Sequence, residues 1–451
     1  MKIQKQVPLT EGPILKSLTG LAVPIMISSF LGTLYNITDM AWIGLLGSKA
    51  VAAVGVGGMY VWLSQGLASL ARMGGQVHVA QCLGRGDKEQ AHRYAKTAVQ
   101  LSILLGLAFA VVSLLFTDPL VAFFKLEGAK TILDAKIYMR ITCGLILFSF
   151  LNLTLTGLYT AQGDSKTPFV ANFIGLLINL LLDPLLILGV GPFPRIEVAG
   201  AAVATVSAQF VVMFVMMVGV FRSKKEENVL KGIRLFEPFS KEELGNICKI
   251  GGPTAIQGMV YCMISMVLTR MVAAFGAEAI ATQRVGGQIE SVSWNTADGF
   301  AAALNAFVGQ NYGAKKMDRV QKGYRISFWT VAIWGALIML AFIIFPGPIA
   351  GVFFHEEKAM EIAISYLIII GFSEAFMCVE LMTIGALSGL GKTKLCSVIS
   401  ITATSMRIPL AMVLSRTSLG LDGIWWALTL TSVAKGIIFY LTFRYQMHEK
   451  C

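Results

Sequence analysis

The sequence predicts an all-α polytopic membrane protein: twelve transmembrane helices in two parallel six-helix repeats around a central cleft. Three observations carry this. Only 14% of the 451 residues are charged and 55% are hydrophobic, with a mean hydropathy of +0.70. Soluble domains carry about 25% charge, so this chain has too few polar groups to cover a water-exposed surface. Apolar runs near the ~20 residues that a bilayer requires recur twelve times. The two halves also repeat each other at a slowly drifting offset. A cytosolic enzyme and a DNA-binding domain are excluded. The net charge of +11 reads as basic loops at a membrane, not as a nucleic-acid surface.

The first run, 17–46, follows N-terminal lysines as a signal peptide would. It is too long for one, contains Asp39 and lacks a small-residue cleavage site, so it is a spanning helix with Pro24 inside it. The second, 51–82, carries Gln65, Ser69, Arg72 and Gln76, spaced 4, 3, 4 along one face. The third spans 97–117. The fourth, 136–159, holds Asn152; the fifth, 168–189, holds Asn179 and Asp183; the sixth, 198–221, holds Thr205. The charged stretch 222–249 then separates an N-terminal lobe, 1–221, from a C-terminal lobe, 250–451. The seventh run lies near 246–273. The eighth, 279–311, carries Arg284, Gln288, Ser291, Asn295 and Asp298, again on one face. Runs at 324–345, 361–388, 395–415 and 421–444 complete the twelve. Alternating ten-residue segments, the mark of a closed barrel, are absent.

Of the 37 lysines and arginines, 24 fall on the side of the N-terminus, 8 opposite and 5 within segments. Both termini are therefore expected in the cytoplasm. Pro24 repeats as Pro253, and Gln81 and Gly84 as Gln310 and Gly313, all at an offset of 229. The loop from Gly163 to Thr167 matches Gly389 to Thr393 at 226, and Gly200 and Ala204 match Gly423 and Ala427 at 223. Six helices return the chain to the same side, so the repeats are parallel, about an axis along the membrane normal, with a cleft between them.

Scattered cysteines, odd in number and without a CxxC pair, exclude a disulfide scaffold. Gly391-Lys392-Thr393 resembles a P-loop, but position 386 is alanine, no strand precedes it and its counterpart recurs, so it reads as a turn between helices. No nucleophile–base pair or metal constellation points to an enzyme. The main signal is acids at membrane depth, because a carboxylate buried in lipid costs several kcal/mol. Asp39 and Asp183 are such acids, with Asn179 one turn from Asp183 and Asn152 and Thr205 in neighbouring helices. Oxygen ligands around one or two carboxylates suit a hard cation or a shared proton; the competing reading is helix–helix hydrogen bonding. The two polar stripes are expected to line the cleft. Glu290, Glu374 and Glu380 are open between pairing with Arg284 or Arg407 and contacting substrate. Twenty-one methionines, 27 phenylalanines and 7 tryptophans suit flat cationic ligands, although any large helical bundle contains many of them.

Pro24 fifteen residues before Asp39, Asn179-x3-Asp183-Pro184, Val308-Gly-Gln-Asn-Tyr-Gly-Ala314 and the duplicated Gly/Lys/Thr loops together resemble the multidrug and toxic compound extrusion (MATE) transporters, in the pattern of the DinF-like branch. The resemblance covers nearly the whole chain. It implies two lobes forming a V around the cleft and export driven by a proton or sodium gradient. It also implies a coupling site at Asp39, Asn179 and Asp183, where Na+ would sit, and a hinge at Pro24. Where the NorM-like branch has a seventh-helix glutamate and a tenth-helix aspartate, this chain has Tyr261 and Met377, so no C-lobe cation site is implied unless Glu374 or Glu380 substitutes. The expected function is a secondary antiporter exporting amphipathic, cationic organic compounds in exchange for H+ or Na+. It would be a monomer in the plasma membrane, with no cofactor and no nucleic-acid partner. The alternative is a lipid-linked oligosaccharide flippase of the same superfamily, with Arg72 binding phosphate; fourteen helices would favour it, and twelve are counted.

Overall fold

A computed structural model describes residues 7–126, 128–189, 194–223, 228–235, 237–354 and 356–448; parts of the expected 222–249 loop, at 224–227 and 236, lie outside it. Among the described residues there is helix and no strand. The helices are α1 (Ile14–Gly44), α2 (Ser48–Arg85), α3 (Lys88–Leu115), α4 (Thr117–Ala122), α5 (Ala129–Gly144), α6 (Leu147–Ala161), α7 (Lys166–Ile187) and α8 (Glu197–Arg222). There follow α9 (Lys241–Ala273), α10 (Ala277–Gly313), α11 (Met317–Ile344), α12 (Pro346–Gly351), α13 (Glu357–Gly371), α14 (Glu374–Gly389), α15 (Thr393–Ser405), α16 (Arg407–Leu414) and α17 (Leu421–His448).

Among the described residues, nine stretches are long and apolar enough to span a bilayer, α15 and α16 forming one of them together. Two more spans are helix pairs: α5 with α6, bent by 43°, and α13 with α14, bent by 51°. The fourth and tenth expected segments are therefore broken helices, and each begins earlier in the chain than its apolar run. The remaining long helix is α10, 37 residues, whose Arg284, Glu290 and Asp298 keep its hydropathy low; with it the spans number twelve. The short α4 and α12 do not span and carry no periodic signal a sequence reading would detect.

Turn chemistry marks the joints. Gly86 ends α2 in the left-handed conformation (φ 81°), and Asp87 caps α3 by accepting from the Gln90 N–H at 2.9 Å. Gly163 (φ 82°) and Gly391 (φ 80°) make the left-handed turns before α7 and α15. These two glycines are 228 residues apart, so the loops superpose two residues later than the sequence match of Gly163 with Gly389. Gly391-Lys392-Thr393 is thus a helix-connecting turn.

The chain packs as two units. One holds Val7 with Ile27–Gly258, the other Pro8–Met26 with the residues from Met259 onward. Helices α1 and α9 each change unit just after their prolines, Pro24 and Pro253. In the first unit α2 packs against α3, α5 and α6, and α7 against α8; in the second α10 packs against α14, α14 against α11 and α17, and α16 against α17. Small residues permit the close approaches. A Cβ on Gly251, in the first half of α9, would lie 1.9 Å from the Leu70 carbonyl oxygen of α2. At the cytoplasmic end of the topology predicted above, His92 Nδ1 bonds the Val229 carbonyl at 2.7 Å and Gln100 donates to the carbonyls of Leu235 and Glu237, tying the described part of the connecting loop to the first unit.

Candidate ion-coupling site

Helix α1 brings Asp39 into the first unit, where it is 8% exposed; α7 brings Asn179 and Asp183, 1% and 0% exposed. The two are one helical turn apart, and the Asn179 amide donates to Asp183 Oδ1 at 3.2 Å. Asp39 and Asp183 lie within electrostatic reach of each other. Two tyrosines join them: Tyr35 and Tyr138 face both aspartates, and the Tyr35 hydroxyl donates to Thr205 Oγ1 of α8 at 2.9 Å. Tyr138 is fixed by Gly57 of α2, where a Cβ would lie 2.4 Å from the ring. Sequence reasoning missed both tyrosines. Tyr35, four residues before Asp39 on the same helical face, carried a signal; Tyr138, at the start of its apolar run, carried none.

Asn152 goes elsewhere in the cluster: its amide donates to the Gln209 carbonyl at 2.8 Å and to Gln209 Oε1 at 3.0 Å, joining α6 to α8. The acceptors are incompletely used. Asp39 Oδ1, Asp183 Oδ2, Asn179 Oδ1 and Asn152 Oδ1 are buried and accept no hydrogen bond from the protein. Buried polar atoms are ordinarily paired, and carboxylates in such a place need compensating charge. Among the described residues no lysine or arginine contributes it: burial acts on Asp39, and burial, Asp39 and the Asn179 hydrogen bond act on Asp183. Unsatisfied oxygens of this kind can take a proton, or a hard monovalent cation whose preferred ligands are oxygens.

The polar stripes sink into the protein along their helices. Gln65 is exposed, Ser69 and Arg72 half-buried and Gln76 buried; on α10, Arg284 and Gln288 are exposed, Ser291 and Asn295 buried and Asp298 half-buried. The Ser69 and Ser291 hydroxyls both donate to carbonyls of their own helix, Gly66 and Gln288, at 2.6 Å. Of the three open glutamates, Glu380 pairs with Lys435 at 2.7 Å, both side chains 6% exposed, a partner the sequence reading had not named. Glu290 accepts from the Tyr366 hydroxyl, with Arg407 near it. Neither oxygen of Glu374 makes a hydrogen bond, with Ser293 of α10 the polar side chain near it.

Comparison with known proteins closes the question of family. The MatE family model matches residues 24–185 and 253–413, one match per repeat. The probable multidrug resistance protein NorM of Thermotoga maritima is 30% identical over 430 residues, covering 93% of this chain and 90% of that protein. The FAD transporter of Shewanella oneidensis is 25% identical over 440 residues, covering 96% and 95%. Among solved structures, a MOP superfamily transporter from Pyrococcus furiosus superposes with a TM-score of 0.90 at 24% identity, over 99% of each chain. A multi-pass, all-helical membrane protein matched by that family model in both halves, and by a relative over nearly its whole length, the chain belongs to the MATE family of transporters and is not an enzyme.

Proposed function

We propose that this transporter is an antiporter exporting amphipathic organic cations against a proton or sodium gradient, with Asp39, Asn179 and Asp183 as the coupling site. The observation that carries the reading is the set of unpartnered buried oxygens around two carboxylates with no cation of their own. Two such carboxylates cannot both ionise cheaply in a low-dielectric space, so they bind a cation as a unit. Loading the pair favours one state of the transporter and substrate favours the other, each through its differential affinity for the two states. Thr205 acts through Tyr35, and Asn152 holds α6 to α8; the stripes on α2 and α10 serve substrate, and Pro24 is the hinge of α1. Multidrug resistance, the role named for the Thermotoga relative, agrees with small organic substrates. The excess of basic residues in the loops on the side of the N-terminus supports a plasma-membrane protein with both termini in the cytoplasm. Counterflow in proteoliposomes, with proton and sodium gradients imposed separately, tests the reading: substrate must accumulate under one gradient, and accumulation under neither refutes it.

A further inference from the structure

The two units share a backbone scaffold but not a charge pattern. Three glycine contacts set the register. Gly57 meets Tyr138 as Gly286 meets Tyr366; Gly157 approaches the Arg72 carbonyl as Gly385 approaches that of Ala301; Gly200 meets the Leu186 carbonyl as Gly423 meets that of Leu414. The offsets are 229 along α2 and α10, 228 from α5–α7 to α13–α16, and 223 along α8 and α17; Pro24 and Pro253, inside α1 and α9, set 229 along that pair as well. In this register Asp39 becomes Leu268 and Asp183 becomes Ala411, both buried and apolar. The amide Asn179 becomes Arg407, and the amide Asn152 becomes Glu380.

The second unit therefore lacks the acids of the coupling site and holds covalently attached cations instead. Lys435 donates to Glu380 at 2.7 Å. Arg407, 8% exposed, donates to Thr431 at 3.0 Å and Ser432 at 2.9 Å, with Glu290 within its electrostatic reach. Ser432 stands where the first unit has Gln209, the partner of Asn152. In the first unit two carboxylates have no cation; in the second, three carboxyls face two. The second set is neutral when one carboxyl holds a proton, and Glu374, with neither oxygen hydrogen-bonded, is the one in excess.

We propose that Arg407 and Lys435 are tethered counter-cations that take, in the second unit, the part a mobile cation takes in the first, and that they close this unit to sodium. An ammonium bound to Glu380 and a guanidinium beside Glu290 compensate buried charge without leaving the protein. This rests on the coupling reading above, but it is tested by binding and not by transport. The experiment follows the thermal midpoint of the purified full-length chain in detergent at pH 8, in sodium chloride against N-methyl-D-glucamine chloride at equal ionic strength. The Asp39→Asn/Asp183→Asn chain, with the first-unit pair removed, should show no sodium-specific shift. Adding Lys435→Met should create one, a rise of about 2–4 °C at saturating sodium, and adding Glu380→Gln as well should abolish it. A sodium-specific rise in the Asp39→Asn/Asp183→Asn chain that Glu374→Gln or Glu380→Gln removes would overturn the proposal. So would a folded Lys435→Met chain without the rise. If Lys435→Met does not fold, Arg407→Gln takes its place, with the sodium-specific rise expected and its abolition expected from Glu290→Gln, the carboxylate Arg407 faces. Transport by Asp39→Asn, which would sink the coupling reading, leaves these midpoints unaffected.

Discussion

Replacing Asp39 by asparagine keeps the side chain's size and removes its charge. Asp39 is 8% exposed, and its Oδ1 has no partner to lose, so the substitution takes a desolvated carboxylate out of the first unit and leaves packing intact. The thermal midpoint should hold or rise. Coupling should vanish. If one proton moves per cycle, a pH difference of 2 units supplies about 2.7 kcal/mol, enough to accumulate substrate about 100-fold. Asp39→Asn leaves Asp183 alone with its Asn179 hydrogen bond, and the pair can no longer exchange an ion; accumulation should fall to about 1-fold under a proton or a sodium gradient. Substrate exchange without any gradient should persist, since the polar stripes proposed to serve substrate lie on α2 and α10 and not on α1 with Asp39. Asp183→Asn should behave the same way, and the double variant no worse than the more severe single one, because the two act as one unit. The assay is uptake into proteoliposomes of fixed orientation at pH 6, 7 and 8. Wild-type accumulation by Asp39→Asn across that range under both gradients would refute the assignment.

Other outcomes follow from the same geometry. In a cysteine-free background, cysteines at 125 and 235 should differ in labelling from outside intact cells: 125 labelled, 235 not; the reverse would invert the topology. Glu374→Gln should retain ion-driven export, since Glu374 lies in the second unit and Asp39 and Asp183 in the first, and complete uncoupling in a folded protein would move the coupling site to the second unit. Lys435→Met should cost about 3–5 kcal/mol of stability by stranding Glu380, and Glu380→Gln combined with it should recover most of that loss, as read by thermal unfolding without sodium. Gly251→Ala, whose Cβ would lie 1.9 Å from the Leu70 oxygen, should destabilise by about 1–3 kcal/mol, whereas Gly252→Ala, with open space around it, should be neutral or better by the same measurement.

The fold class was legible because lipid imposes a length rule that soluble folds lack: twenty apolar residues per crossing leave a mark wherever a helix is continuous and uncharged. The rule failed where helices break. The bends between α5 and α6 and between α13 and α14 occur within or beside apolar stretches, and nothing in Cys143–Leu147 or Ile370–Glu374 announces them by proline. The acids were equally legible, because hydropathy makes Asp39 and Asp183 conspicuous. Their companions were not: Tyr138 is amphipathic and counts as apolar in any such scan, and its place beside the aspartates depends on Gly57 of a different helix. The Glu380–Lys435 pair was hidden for a related reason. Each residue was visible alone, but only the tertiary register between α14 and α17 shows that they meet.

A duplicated chain retains in both copies what backbone geometry demands and is free to alter what chemistry demands. Glycines at the close approaches recur because a Cβ there would strike a carbonyl or a ring, whichever ion or substrate the protein handles. The acid, amide and basic positions obey no such constraint, and there the copies part. Under the proposed coupling site, an ion bound in one unit must still act on the whole transporter, and α1 offers a covalent route. Its residues from Ile27 onward, Asp39 among them, pack in the first unit, while Pro8–Met26 pack in the second. Pro24 lies at that change of unit, where its missing N–H leaves the Gly20 carbonyl without its helical bond and lowers the cost of bending. An ion bound at Asp39 therefore loads a helix whose other half is anchored elsewhere, across its weakest turn. Helix α9 has the same construction at Pro253 but carries Leu268 where α1 carries Asp39. Of the two shared helices, only α1 carries a buried acid beyond its proline, which is how, on the proposed reading, one copy of the repeat would suffice to couple the transporter.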